Sequence, residues 1–202
     1  MKKIGIQLLS AMTLLLGCQK EEISTDLLSM EIASKKVEGN GKLRIGDSYG
    51  GGIVAYILQP GDLGYRRGKQ NGLIAAPVDQ SSGAEWGCFG TALSGVFGTT
   101  LGTGNQNTIN IEAGCTATGT AADICANWIL GGYTDWYLPS KDELYKLYLN
   151  QTAIGGFDSY SSYWSSSQTG PVAAYNTNFG YGAQDGGYSK DFLCRVRAVR
   201  TF

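Results

Sequence analysis

Residues 131–144, Gly-Gly-Tyr-Thr-Asp-Trp-Tyr-Leu-Pro-Ser-Lys-Asp-Glu-Leu, constrain the fold more than any other stretch. Gly131 and Gly132 suit the end of a helix, where glycine adopts a left-handed backbone without strain. Trp136, Tyr137 and Leu138 make a short β-favouring run. Pro139 closes it, and Ser140 with Glu143 forms a capping box that starts a second helix. Leu144, Leu147 and Tyr148 fall on one face of that helix. Helix end, strand and helix start within so few residues mark the hub of a mixed α+β core.

The elements follow from the same reasoning. Ile53–Leu58 and Leu73–Val78 read as apolar strands bounded by glycine and proline turns. From Asp79 to Gly119 the chain reads mostly as loop, anchored by Trp86 and Phe89. A first helix is expected over Thr120–Leu130 and a second from Lys141 to Asn150. Tyr160–Ser167 is an aromatic strand, and Arg195–Thr201 closes the chain as a strand expected to pair with Ile53–Leu58. Arg195, Arg197 and Arg200 read as a solvated edge with some ion pairs, Arg200 being out of phase with the other two.

Composition narrows the chemistry. The 202 residues contain no histidine, which removes Ser-His and Cys-His nucleophilic machinery and imidazole-based zinc sites. No pair of carboxylates is placed for acid–base work, so an enzyme is not expected. The net charge of −1 offers no basic field for nucleic acid. Gly50–Gly52 lacks a following Gly-Lys-Ser/Thr and reads as a turn rather than a phosphate loop. Neither a calcium-loop pattern nor any other metal or cofactor signature is present.

Residues 1–17 have the layout of a secretory leader: Lys2 and Lys3, then a short apolar segment, with Cys18 directly after Gly17. Leu15-Leu16-Gly17-Cys18 resembles a bacterial lipobox. That resemblance implies cleavage before Cys18 and lipidation of its thiol, leaving a lipid anchor as the link to the membrane. Gln19-Lys20-Glu21-Glu22 resembles the surface-export signal of Bacteroidetes lipoproteins, which implies an outer-membrane protein facing the exterior. Residues 18–45 read as a tether and 46–202 as the domain.

The domain carries a further resemblance, on Gly51-Gly52-Ile53-Val54, Trp86-Gly87-Cys88, Gly102-Thr103-Gly104, Asn107-Thr108, the 131–144 hub, Tyr163-Trp164-Ser165-Ser166 and Arg195-Val196-Arg197-Ala198-Val199-Arg200. Together these resemble bacterial surface domains of the C-type-lectin-like fold, a family that includes the C-terminal domain of a collagen-like adhesin. The resemblance implies two helices, short antiparallel strands, long loops, and paired N- and C-terminal strands. The calcium-binding triplet of sugar-binding lectins is missing. Cys88, Cys115, Cys125 and Cys194 allow three disulfide pairings. The resemblance suggests Cys125 with Cys194, leaving Cys88 with Cys115; an alternative pairs two of the first three and leaves a free thiol.

The tail from Thr169 to Cys194 is dense in Tyr, Asn, Gly, Ser and Asp, a recognition composition that also fits an ordinary glycine-rich loop. It resembles the variable region of C-type-lectin-like proteins diversified by retroelements. That resemblance implies a constant frame of Asn176, Asn178, Phe179, Gly182, Gln184, Lys190 and Arg195-Val196-Arg197. It implies replaceable ligand-binding positions at Tyr175, Thr177, Tyr181, Asp185, Tyr188, Asp191, Phe192 and Leu193. The expected partner is a protein or carbohydrate on another surface. The other readings are a structural envelope lipoprotein without a specific ligand, or an enzyme related to formylglycine-generating proteins of this fold.

Overall fold

The computed structural model describes residues 41–202. The leader, Cys18 and most of the tether lie outside the described residues.

Among the described residues nine strands form two sheets. In chain order the elements are β1 (Ser48–Tyr49), β2 (Gly52–Ile57), β3 (Gly72–Ala75), β4 (Ser81–Ala84), α1 (Gly104–Gly114), α2 (Ala121–Ala126), α3 (Lys141–Leu149) and α4 (Gln151–Ile154). They continue with β5 (Ser162–Gln168), β6 (Ala173–Asn178), β7 (Gln184–Ser189), β8 (Cys194–Val196) and β9 (Val199–Thr201). One sheet has the order β1-β2-β3-β9 and the other β4-β8-β5-β6-β7. The mixed α+β class read from the sequence therefore holds.

The hub is organised by Glu143. Its carboxylate accepts from the Ser140 N–H at 2.7 Å and the Gly102 N–H at 2.8 Å, while Ser140 Oγ accepts from the Glu143 N–H. The capping box thus starts α3 and also pins a distant loop. Burial pushes the Glu143 carboxyl up, against the pull of the N–H groups that bind it. Leu144 and Leu147 are buried as the helical spacing predicts, beside Tyr137, Tyr163 and Phe179.

Several expectations need correction. β9 does not pair with β2. β3 lies between them, with Ile53 opposite Ala75 and Ala75 opposite Val199. All four β3 residues are buried, as a central strand requires. The segment 195–201 is not one strand, because β8 and β9 belong to different sheets.

The supposed loop after Gly102 contains α1. Its buried residues, Gly104, Asn107, Thr108 and Ile111, have helical spacing, but only one is a large apolar residue. Asn107 Nδ2 donates to the Gly98 carbonyl and to Ser166 Oγ, and Thr108 Oγ1 accepts from the Leu138 N–H. These bonds let polar side chains occupy a core face. A Cβ on Gly104 would collide with Glu143.

The first expected helix ends early, at Ala126, where Asn127 Nδ2 donates back to the Asp123 carbonyl. Gly131 and Gly132 have φ of 62° and 79°, but they serve the turn of a Leu130–Tyr133 bridge rather than a helix end. Trp136–Leu138 contributes a single bridge, Tyr137 to Val199. Phe89 is exposed, so Trp86 alone of the two anchors is buried, its Nε1 donating to the Ser165 carbonyl at 2.8 Å.

Cys88 and Cys115 form a disulfide, whereas Cys125 and Cys194 are free, buried thiols. The Cys125–Cys194 bridge implied by resemblance is therefore absent. Both thiols belong to the hydrophobic cluster around Trp86 and Trp164, where burial pushes the Cys194 thiol up to about 12 and holds Cys125 in its neutral form.

Candidate functional site

The tail is built as a hairpin on a buried frame. β6 and β7 pair antiparallel, with Ala174 opposite Tyr188 and Thr177 opposite Gln184, and β7 is the free edge of the larger sheet. The period-2 alternation of these strands is hard to read because small polar residues occupy both faces. Asn176 and Thr177 are both buried, and glycines interrupt β7.

Lys190 fixes the end of the hairpin. It is fully buried, donates from Nζ to the Thr91 carbonyl and to Gln168 Oε1, each at 2.9 Å, and lies 4.3 Å from the centroid of the Trp86 ring. Its backbone N–H donates to the Val172 carbonyl and its carbonyl accepts from the Trp86 N–H. Among the described residues no carboxylate pairs with the ammonium, and burial lowers its pKa to about 8.

The three arginines after Lys190 are structural rather than a solvated edge. Arg197 is fully buried, with ion pairing to Asp79 at 2.6 Å and its guanidinium 3.9 Å from the centroid of Phe157. Arg195 bridges Asp79 at 3.1 Å and Asp158 at 2.7 Å. Arg200 holds Asp135 through two bonds of 2.7 and 2.9 Å, which keeps that carboxyl below its ordinary range. The expected ion pairs are present, but they cement the sheet instead of offering a free anion site.

The positions singled out in the tail divide by exposure. Tyr181, Asp185, Asp191, Phe192 and Leu193 are exposed, Tyr175 and Tyr188 are half-buried, and Thr177 is fully buried. Thr177 thus cannot present a contact in this conformation. Of the frame, Asn176, Phe179, Lys190, Val196 and Arg197 are buried, while Asn178, Gly182, Gln184 and Arg195 are half-buried.

These positions lie along the β6–β7 hairpin and the turns at its ends rather than in one pocket. Tyr181 occupies the β6–β7 turn, next to Gly182, which sits against Tyr148 of α3. Asp191, Phe192 and Leu193 occupy the β7–β8 turn at the other end, about 20 Å away by strand length. Tyr188 bridges inward, its ring 5.4 Å from Phe192 and 5.5 Å from Trp164. Tyr175 packs over Gly186, and Lys141 Nζ lies 5.5 Å from its ring centroid. Asp185 Oδ1 accepts from the Gly187 N–H, covering part of the β7 edge.

Sequence reasoning missed a second feature, a groove of about 500 Å³ between the 61–63 loop, the 100–101 loop and α3. Asp62, Leu63, Leu101, Asp142, Tyr145 and Lys146 line it. They come from three segments far apart in sequence, and no local motif joins those segments. Among the described residues no group of three or more Cys, Asp or Glu is placed to hold a metal ion, and no helix is long and apolar enough to cross a membrane.

No protein-family model and no curated protein matches the chain. Among solved structures it is similar to a fimbrial protein from Bacteroides ovatus, with a TM-score of 0.50 and 14% sequence identity. The likeness covers 83% of this chain and 46% of that one, so this chain spans about half its length. At that identity the shared property is the fold.

Proposed function

We propose that this protein is a surface-exposed, lipid-anchored binding module of C-type-lectin-like fold, which recognises a protein or glycan through the exposed positions of its tail. It acts without catalysis, from the outer membrane, and its tail is a replaceable face of the kind that retroelements diversify.

The observation that carries this reading is the exposure pattern. None of the frame residues is exposed, whereas Tyr181, Asp185, Asp191, Phe192 and Leu193 all are. A surface that must change without unfolding its support needs that division. Exposed aromatic and small polar side chains also suit adaptable recognition. The fold shared with a fimbrial protein fits a place on the cell surface.

The test is binding of the purified full chain to intact bacterial cells and to arrays of glycans and surface proteins. Alanine at all five exposed positions should abolish a specific signal while leaving the unfolding midpoint nearly unchanged. Specific binding that survives those five changes would refute the placement. Absence of any specific signal would favour a structural envelope protein.

A further inference from the structure

We infer that the groove between the 61–63 loop and α3 is a second binding site, which takes a neutral oligosaccharide segment. It contains none of the tail positions described above, so this inference goes beyond the tail reading.

The walls are fixed. Asp62 Oδ2 accepts from Tyr56 OH at 2.8 Å and from the Gln59 N–H at 2.7 Å, which folds the first loop. Across the groove, Glu143 holds the Gly102 N–H, Ser140 Oγ donates to the Thr100 carbonyl, and the Asp142 N–H donates to the Thr99 carbonyl. Tyr145 stacks on Tyr148 with a centroid separation of 5.7 Å. A cavity of about 500 Å³ falls within the usual range for small-ligand sites, roughly 300–1,000 Å³.

The groups that remain unpaired define the ligand. Asp62 Oδ1 and Asp142 Oδ2 accept no hydrogen bond among the described residues. Lys146 has no carboxylate partner there; its ammonium lies 4.7 Å from the centroid of the Tyr56 ring. Two acceptors and one donor, set among Leu63, Leu101 and Tyr145, match vicinal hydroxyls above an apolar C–H face. A pyranose has both features. Lys141 pairs with Asp142 at 3.2 Å, so two carboxylates stand against two ammonium groups at the groove, and charge favours a neutral ligand over an ionic one.

The test is saturation-transfer NMR on the full chain with maltotriose, mannotriose and triacetylchitotriose. Trilysine and trigalacturonic acid serve as charged counterparts. Transfer to at least one neutral trisaccharide is expected. Tyr145→Ala should abolish it. Lys146→Met and Asp142→Asn should each weaken binding about tenfold, the loss of one hydrogen bond to a charged group. Val78→Ala, at an exposed residue outside the groove, should bind as the parent does. If Tyr145→Ala fails to fold, Lys146→Met decides the matter, because Lys146 is half-buried and its loss removes one contact with the Tyr56 ring and no ion pair among the described residues. No transfer to any of the three neutral probes would overturn the inference. So would transfer undiminished in every folded groove variant, or preference for a charged trimer.

Discussion

Replacing Lys190 with methionine should reveal a pH-dependent pin beneath the tail. The folded ammonium has a pKa of about 8, while an exposed lysine titrates at 10.5. Between those values the unfolded chain holds the proton and the native chain does not. Stability of the parent therefore rises with pH across this window, by at most about 3 kcal/mol from the size of the shift. Lys190→Met lacks that contribution. It also loses the hydrogen bonds to Thr91 and Gln168 at every pH. Urea denaturation followed by tryptophan fluorescence at pH 7, 8, 9 and 10 reads the difference between the two proteins. Every other titratable group is common to the two proteins and largely cancels. The cost of the substitution should grow steadily above pH 8. A cost that stayed flat or shrank as pH rose would show that the ammonium is solvated and the pin argument wrong.

Other perturbations test the rest of the frame. Glu143→Ala strands the N–H groups of Ser140 and Gly102, and should cost about 3–5 kcal/mol in denaturant unfolding. Cys88→Ser should cost about 3–4 kcal/mol, because the lost crosslink spans 27 residues, and reductant should lower the parent's melting temperature similarly. Phe179→Ala should cost about 3–5 kcal/mol, whereas Tyr181→Ala, two residues away and exposed, should change stability by about 0.5 kcal/mol or less.

What the sequence revealed depended on how apolar the burying residues were. The α3 start was legible because Ser140, Glu143, Leu144 and Leu147 form a local pattern that tertiary contacts only reinforce. α1 was not, because Asn107 and Thr108 bury through bonds to Gly98 and Leu138 that no periodicity announces. β3 is recognisable as a strand, yet its insertion between β2 and β9 is a long-range choice. The same limit applies at the surface. The resemblance to diversified tails singled out Phe192 and Tyr181, but it also included Thr177, which is buried in β6 opposite Gln184. The groove escaped notice because Asp62, Leu101 and Tyr145 meet only in the folded chain.

The central claim is that the tail is a replaceable face on a fixed frame. Sequencing the coding region for residues 165–195 across a large population of cells that carry this gene tests it directly. The account predicts amino-acid variation concentrated at Tyr181, Asp185, Asp191, Phe192 and Leu193, with Asn176, Phe179 and Lys190 constant. Variation spread evenly over buried and exposed positions would contradict it, as would a tail no more variable than the rest of the domain.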